Sequence, residues 1–214
     1  MPTILIPQLS DLDSLPGFSG LQEEDIATPE TPRAFERAMT ELLSCPHIGF
    51  DTESKPTFRV GDVSTGPHLI QFASRDKAYL FQVGVEGCLA AAKAVLESDR
   101  VLKVGFGLSS DRSRLRQRLG IELRYFIDLG TTLRYQGKKG QVGLRGAVAA
   151  VLGARVSKSR SISTSNWANR TLTDAQRRYD ANDAFAALQV FYGLGAEPEQ
   201  LVFDRIMPKP NQPT

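Results

Sequence analysis

Short apolar runs and helical spacings alternate along the middle of the chain and predict an α/β domain. The runs at residues 48–50, 67–72 and 77–81 are joined by short turns, and this order predicts three strands in an antiparallel meander. Further apolar runs at residues 101–105 and 125–128 are each followed by a segment with helical spacing of apolar residues. The segment after the second run continues through residue 135. We therefore predict a meander followed by alternating strands and helices.

The longer helices carry recognisable start and stop signals. A threonine-proline pair at residues 31–32 predicts a helix that runs through residue 43. Alanine-rich text predicts helices at residues 89–96 and 142–152, and Gly153 would cap the second of these. Thr173 to Gln176 reads as a capping box, so the last long helix should run from residue 174 to about residue 194.

The two ends of the chain differ in pattern from its middle. Residues 1–30 show no sustained period, and we interpret them as an extended N-terminal arm. Residues 196–214 carry four prolines and are interpreted as an extended C-terminal tail. Residues 31–195 then form the domain, because 214 residues suffice for one sizeable hydrophobic core.

Charge is balanced in total but clustered along the chain. The 26 basic and 24 acidic residues give a net charge of +2, which says little about partners. Clustered basic residues fit a polyanion surface, although solvated helix faces explain each cluster equally well. The serine-rich segment 155–165 is interpreted as a mobile loop able to contact phosphates. The clusters contain Arg112, Arg114, Arg116 and Arg118, then Lys138 and Lys139, then Arg155, Lys158 and Arg160.

Several classes of protein are disfavoured by what the sequence contains. Cys45 and Cys88 match no zinc spacing, so we expect reduced thiols and a cytoplasmic protein. The N-terminus lacks the basic region of a signal peptide, and no stretch approaches the ~20 apolar residues of a membrane span. Gly105 and Gly107 suggest a dinucleotide fingerprint, but Ser110 occupies the position of its third glycine.

Two carboxylates at the end of the first central strand are the leading candidates for chemistry. Asp51 and Glu53 follow the run at residues 48–50 and are separated by Thr52. Residues i and i+2 of a strand point to the same face, so the two acids should repel each other. A hard divalent cation such as Mg²⁺ or Mn²⁺ would relieve that repulsion. The triplet alone is weak evidence, because most such pairs are simply solvated.

Three more side chains fall where such a site would need them. Asp111 lies in the first turn of a helix that follows a predicted core strand. Tyr179 and Asp183 are four residues apart and therefore share one helix face. Taken singly, Asp111 could be a helix cap and Tyr179 a core residue.

Three ordered motifs in this chain resemble those of the DEDD 3'-5' exonucleases, tyrosine subgroup, which includes RNase D and the exonuclease domain of the Werner syndrome helicase. The matching segments are residues 50–53, 104–115 and 179–188, and residues 165–176 before the third motif are also similar. The resemblance covers about residues 34–194. Its acids and tyrosine fall at Asp51, Glu53, Asp111, Tyr179 and Asp183.

The resemblance implies an RNase H-like fold, in which a mixed sheet with three antiparallel first strands is flanked by helices. It also implies a 3'-5' exonuclease with two Mg²⁺ or Mn²⁺ ions per site. Asp51 would bridge the ions, Glu53 and Asp183 would complete one ligand shell, Asp111 would support the other, and Tyr179 would orient the attacking water. The substrate would be a single-stranded 3' end of DNA or RNA, with contacts expected from Lys158, Arg160, Trp167 and Arg170.

Two alternatives stay open at the level of sequence. The chain could be a catalytically silent nucleic-acid-binding domain that keeps a nuclease fold, or the acids could be caps and surface charges. Many relatives also have Asn or His shortly before the acid of the second motif, where this chain has Gly105, Phe106 and Gly107. A substrate contact at that position is therefore not carried over, and neither are processivity or the choice between DNA and RNA.

Overall fold

The computed structural model describes residues 3–57, 65–137, 140–157 and 160–195. Most strands form one central sheet, and two short strands pair separately. The strands are β1 (Ile4–Ile6), β2 (Ile26–Ala27), β3 (His47–Glu53), β4 (Leu69–Ala73), β5 (Ala78–Gln82), β6 (Leu102–Gly105), β7 (Phe126–Asp128) and β8 (Leu133–Tyr135).

The central sheet is mixed and has the order β2-β5-β4-β3-β6-β7. Strands β3, β4 and β5 pair antiparallel in sequence order, which confirms the predicted meander. Strands β6 and β7 then add in parallel on the other side of β3. Strand β3 is thus central, and both of its candidate acids lie in paired positions, with Asp51 opposite Gln71 and Glu53 opposite Leu69.

Helices begin and end close to the residues that the sequence signals predict. Thr31 caps the first helix by accepting a hydrogen bond from the backbone nitrogen of Ala34, and Gly153 follows the fifth helix in a left-handed conformation. The helices are α1 (Pro32–Leu43), α2 (Cys88–Leu96), α3 (Leu108–Arg114), α4 (Leu129–Thr132), α5 (Leu144–Leu152), α6 (Arg160–Ser163) and α7 (Asp174–Gly193); a wider turn, Leu115–Leu119, extends α3.

Apolar side chains cover both faces of the sheet. On one face, α1 and α2 pack against the meander, and the Phe35 and Phe81 rings meet edge to face at 4.9 Å. On the other face, α5 and α7 cover β3, β6 and β7. The sheet is therefore the middle of three layers.

Gly49 allows helix α7 to approach β3 closely. A Cβ atom at this position would overlap the backbone carbonyl of Ala184 in α7. Gly49 lies two residues before Asp51 on the same face of β3, and Ala184 directly follows Asp183. The missing side chain thus brings the third-motif acid toward the strand that carries the first-motif acids.

The N-terminal segment, interpreted from sequence as an extended arm, packs on the domain. Strand β1 pairs in parallel with β8, and β2 adds to the edge of the central sheet beside β5. The predicted helix through residue 135 is wrong at its end, because α4 stops at Thr132 and residues 133–135 are strand β8. The strand forms here because it pairs with β1, and the local sequence pattern does not predict that pairing. Beyond the strand, Gln136 N donates a hydrogen bond to Ile6 O at 3.0 Å.

Further predictions concern residues 155–165, the C-terminal tail, the two cysteines and membrane spans. The predicted loop at residues 155–165 contains the short helix α6, and the C-terminal tail lies outside the described residues. Both cysteines are free thiols. None of the helices in the described ranges has the length and apolar character needed to span a membrane.

Candidate active site

Strand β3 carries the first two candidate acids in its C-terminal half. Gly49, Asp51 and Glu53 alternate onto the face that α7 covers, while Thr52 points the other way. The Asp51 and Glu53 side chains are partly buried, so both carboxylates lie near solvent but in dense surroundings.

The third acid, Asp111, lies in α3 and is hydrogen-bonded to Thr52, the residue between the first two acids. Asp111 is only 5% exposed, and its Oδ1 accepts a 2.6 Å hydrogen bond from Thr52 Oγ1. The Arg114 guanidinium lies 3.9 Å from the same oxygen. The start of α3 is fixed by Asp128, whose Oδ1 accepts from Gly107 N at 2.9 Å, while Gly107 adopts a positive φ of 73°.

Helix α7 supplies the tyrosine and the fourth acid. The predicted capping box is confirmed, since Gln176 N donates to Thr173 Oγ1 at 3.2 Å and Thr173 N donates to Gln176 Oε1 at 2.9 Å. Tyr179 and Asp183 are partly exposed, and each of them lines two surface grooves. One groove has a volume of about 530 Å³ and the other about 310 Å³, and they share these two residues.

The four acids are close enough to influence one another's protonation. Burial raises the pKa of Asp51 well above its usual range, and the charges of Asp111, Asp183 and Glu53 raise it further. Burial, with the charges of Asp183 and Asp111, raises the pKa of Glu53 to about 7. Burial alone raises the pKa of Asp183 to about 7. Burial, with the charge of Asp128, also raises the pKa of Asp111, against the opposing effects of Thr52 and Arg114.

The Tyr179 hydroxyl stays protonated at neutral pH. Burial raises its pKa to about 12, and the neighbouring charges of Asp183 and Glu53 contribute to the shift. A phenol in this state can donate a hydrogen bond but is a poor general base. The side chain is therefore suited to positioning a polar group beside the acids.

The donor chemistry of the four acids fits a hard divalent cation. Carboxylate oxygens are the ligands that Mg²⁺ and Mn²⁺ prefer, and the charge of such an ion would relieve the repulsion among the acids. Within the described ranges, no group of three or more His, Cys, Asp or Glu side chains is already arranged to hold a metal ion.

Without divalent cations, the protein should lose stability as pH rises. Glu53 and Asp183 hold protons up to about pH 7 in the folded state, whereas their ordinary pKa values are 4.5 and 3.8. The folded state thus binds more protons than the unfolded state between these limits, so stability falls with pH across that window. We expect the free energy of unfolding in EDTA to drop by about 2 to 4 kcal/mol between pH 5 and pH 8.

Denaturant titrations at several pH values check this expectation. Excess Mn²⁺ should reverse the trend near neutral pH, because the ion competes with protons for the same carboxylates. A stability that is flat or rises between pH 5 and pH 8 in EDTA would show that the pKa values of Glu53 and Asp183 are not raised in the folded protein.

The predicted nucleic-acid contacts divide into separate groups. Trp167 is 1% exposed and packs in the core with Leu21 and Ile26, so its ring is not available to a nucleobase and we withdraw it. Arg170 is exposed but lines a different groove, beside His68. Lys158 and the basic pair at residues 138–139 lie outside the described residues, and Arg160 is described only as part of helix α6.

Asp180 is a buried acid at the site that sequence reasoning missed. Its side chain is 0% exposed, and neither carboxylate oxygen has a hydrogen-bond partner among the described residues. Burial raises its pKa well above the usual range, and the charges of Glu53, Asp183 and Asp51 raise it further. The helical spacing could have revealed its burial. Asp180 precedes Ala184 by four residues, so both lie on the face of α7 that packs against the sheet.

Comparisons with known proteins identify the family. The family model described as 3'-5' exonuclease matches residues 26–197. A mouse protein named bifunctional 3'-5' exonuclease/ATP-dependent helicase WRN is 32% identical over 150 residues, which are 69% of this chain and 11% of that protein. The chain therefore spans about a tenth of that relative's length.

Solved structures show the same fold. The Nibbler EXO domain of Aedes aegypti is 28% identical and has a TM-score of 0.68, with 84% of this chain and 90% of that chain covered. The RNase D of Trypanosoma brucei, solved in complex with RNA U12, also has a TM-score of 0.68 at 19% identity, with 80% and 63% covered. The RNase H-like α/β fold implied by the motifs is thus confirmed, and the chain belongs to the 3'-5' exonuclease domain family.

Proposed function

We propose that this chain is a metal-dependent 3'-5' exonuclease that hydrolyses phosphodiester bonds from the 3' end of DNA or RNA and releases nucleoside 5'-monophosphates by a two-metal-ion mechanism. The observation that supports this proposal is that four acids from three separated motifs include two, Asp51 and Glu53, whose protonation responds to the others. Their pKa values are raised, and for Asp51 and Glu53 the other acids of the group contribute to the shift.

Each of the five candidate side chains would have a distinct role in this reaction. Asp51, Glu53, Asp111 and Asp183 would hold Mg²⁺ or Mn²⁺ with their carboxylate oxygens. The ions, when bound, activate a water molecule and stabilise the leaving oxygen. Tyr179 would orient the attacking water through its protonated hydroxyl, because its pKa of about 12 keeps the proton in place.

A single strand with a free 3' end is the substrate that we propose for the two grooves. Both grooves reach Tyr179 and Asp183, and arginines line each of them, with Arg155 and Arg178 in the larger and Arg145 in the smaller. Guanidinium groups bind phosphates well, so these side chains would guide the backbone of the strand. The Trypanosoma RNase D structure contains RNA, and a substrate of either sugar type fits this proposal.

The alternative is a catalytically silent nucleic-acid-binding domain. It predicts binding to single strands without cleavage under any metal condition. Tyr179 and Asp183 line both grooves, and the charges of Asp183, Asp111 and Glu53 act on Asp51, which favours the enzyme.

A panel of 5'-labelled oligonucleotides tests the direction of attack. Single- and double-stranded DNA and RNA are incubated with Mg²⁺, Mn²⁺ or EDTA, and we expect a ladder of shortened products that EDTA abolishes. A 3'-terminal phosphate should slow the reaction, because it blocks the terminal hydroxyl. Rapid nicking of closed circular DNA would contradict end-directed cleavage, and binding without cleavage in every metal would favour the silent domain.

A further inference from the structure

The larger groove at the candidate active site has a wall that lies outside the segment matched by the family model. The match begins at residue 26, whereas Gly17, Phe18 and Gly20 line the groove of about 530 Å³. The opposite wall includes Tyr179 and Asp183 of α7. The N-terminal segment thus forms part of the site's surroundings.

Hydrogen bonds at both ends fix this N-terminal wall in place. Phe18 N donates to Arg155 O at 2.9 Å, and Arg155 N donates to Pro16 O at 2.8 Å. Further along, Leu21 N donates to Asn182 Oδ1 at 2.8 Å, and Asn182 directly precedes Asp183. The wall is therefore tied to the helix that carries the candidate chemistry.

Phe18 gives this wall a flat aromatic surface. Its side chain is only partly buried, with the ring centroid 6.0 Å from that of Phe185 and the two rings inclined at 48°. Among the described residues, Phe18 and Tyr179 are the aromatic side chains that line the groove. Aromatic rings in a groove that follows a single strand commonly stack on nucleobases.

Charged groups beside Phe18 fit the backbone of the same ligand. Arg155 and Arg178 line the groove, and the side chain of Arg178 is exposed. The Arg155 guanidinium lies 3.6 Å from Asp13 through one nitrogen, while its Nε is buried and has no hydrogen-bond partner in the part of the chain that the structure describes. A groove lined by an apolar ring and two arginines suits a nucleotide, which has a flat base and an anionic phosphate.

We propose that Phe18 is a base-stacking platform for one of the last nucleotides of the strand, and that the N-terminal segment around it is part of the substrate-binding site. This inference rests on the proposed function, because it places the strand beside Tyr179 and Asp183. It goes beyond that function in assigning a nucleobase contact to a residue outside the matched domain.

Binding measurements test the contact without cleavage. Asp51→Asn is the parent, and the ligands are 5'-fluorescein-labelled thymidine octamers, one complete and three with a single abasic site at the last, second-last or third-last position. Fluorescence anisotropy gives the affinities. Phe18→Ala should weaken binding of the complete octamer by about 5- to 100-fold. At one abasic position the same substitution should cost less than about twofold, because the base that it would contact is missing.

Conservative variants separate stacking from packing. Phe18→Leu keeps apolar contact with Phe185 but lacks a flat ring, so it should lose most of the affinity, whereas Phe18→Tyr should keep it. Tyr192→Leu, at the far end of α7, serves as the control and should leave binding unchanged. Thermal melts show whether each variant is folded.

Three outcomes would overturn the inference: Phe18→Leu within twofold of the parent, Phe18→Ala within twofold of the parent, or an equal loss for Phe18→Ala on all four octamers. The last of these would identify Phe18 as a structural anchor. A failure of the proposed activity can be distinguished from a failure of this inference. If the variants bind in the expected pattern but wild type never cleaves, the exonuclease activity is contradicted while the stacking contact is supported.

Discussion

Asp51→Asn is expected to abolish exonuclease activity, with a loss of at least about 1,000-fold in turnover under saturating Mn²⁺. Asp51 lies on central strand β3, and the charges of Asp111, Asp183 and Glu53 all raise its pKa. The amide keeps the shape of the side chain but removes its negative charge. Gel assays with a 5'-labelled single strand measure the loss.

The same substitution should leave the metal-free protein as stable as wild type, or more stable. Burial and three neighbouring carboxylates disfavour a charge at Asp51, so its removal relieves repulsion in the folded state. Wild type should gain melting temperature with Mn²⁺, by about 5 to 10 °C at an ion concentration of 100 times Kd. Asp51→Asn should gain clearly less.

Glu36→Gln is a matched control, because it makes the same carboxylate-to-amide change at an exposed position of α1. It should keep wild-type activity and the wild-type response to Mn²⁺. Equal Mn²⁺ shifts in wild type and Asp51→Asn would exclude Asp51 as a principal ligand, even if activity were lost.

Tyr179→Phe is expected to lower turnover by roughly 10- to 1,000-fold while metal and strand binding are largely kept. Tyr179 lies one helical turn before Asp183, so its hydroxyl lies on the same face of α7 as that carboxylate. The substitution keeps the ring and its packing but removes the hydrogen-bond donor that we assign to water positioning. Single-turnover rates at saturating Mn²⁺, together with strand affinities, separate the two effects.

Tyr192→Phe makes the identical change near the other end of α7, where the ring lies 4.3 Å from the Arg75 guanidinium carbon. Its turnover should match wild type. If Tyr179→Phe also remained within about twofold of wild type, Tyr179 would be a packing residue and the acids alone would have to explain catalysis.

Local sequence signals predicted the elements that carry the candidate acids. The run before Asp51 forms the core of β3, and the capping box at Thr173 starts α7 at the expected residue. Both signals depend on residues close together in the chain, through strand alternation in one case and side-chain capping in the other. The motif order then related acids more than 130 residues apart, which no local pattern could do.

Features that depend on packing between distant segments were missed. Strands β1 and β8 have three residues each and are stabilised by each other, so neither shows a pattern of its own. Trp167 was expected to contact nucleic acid, but side chains from the N-terminal segment and the sheet bury it. Phe18 joins the groove through hydrogen bonds to Arg155, which lies far along the chain.

The most direct measurement of the central claim uses a single-stranded oligonucleotide that carries its radioactive label in the 3'-terminal nucleotide, in the internucleotide phosphate. Wild type is mixed with it in single turnover, with Mn²⁺ or with EDTA, and the first labelled product is identified by chromatography. We predict a nucleoside 5'-monophosphate in Mn²⁺ and no product in EDTA. A first labelled product longer than one nucleotide, or the same yield of product in EDTA, would contradict a metal-dependent 3'-5' exonuclease.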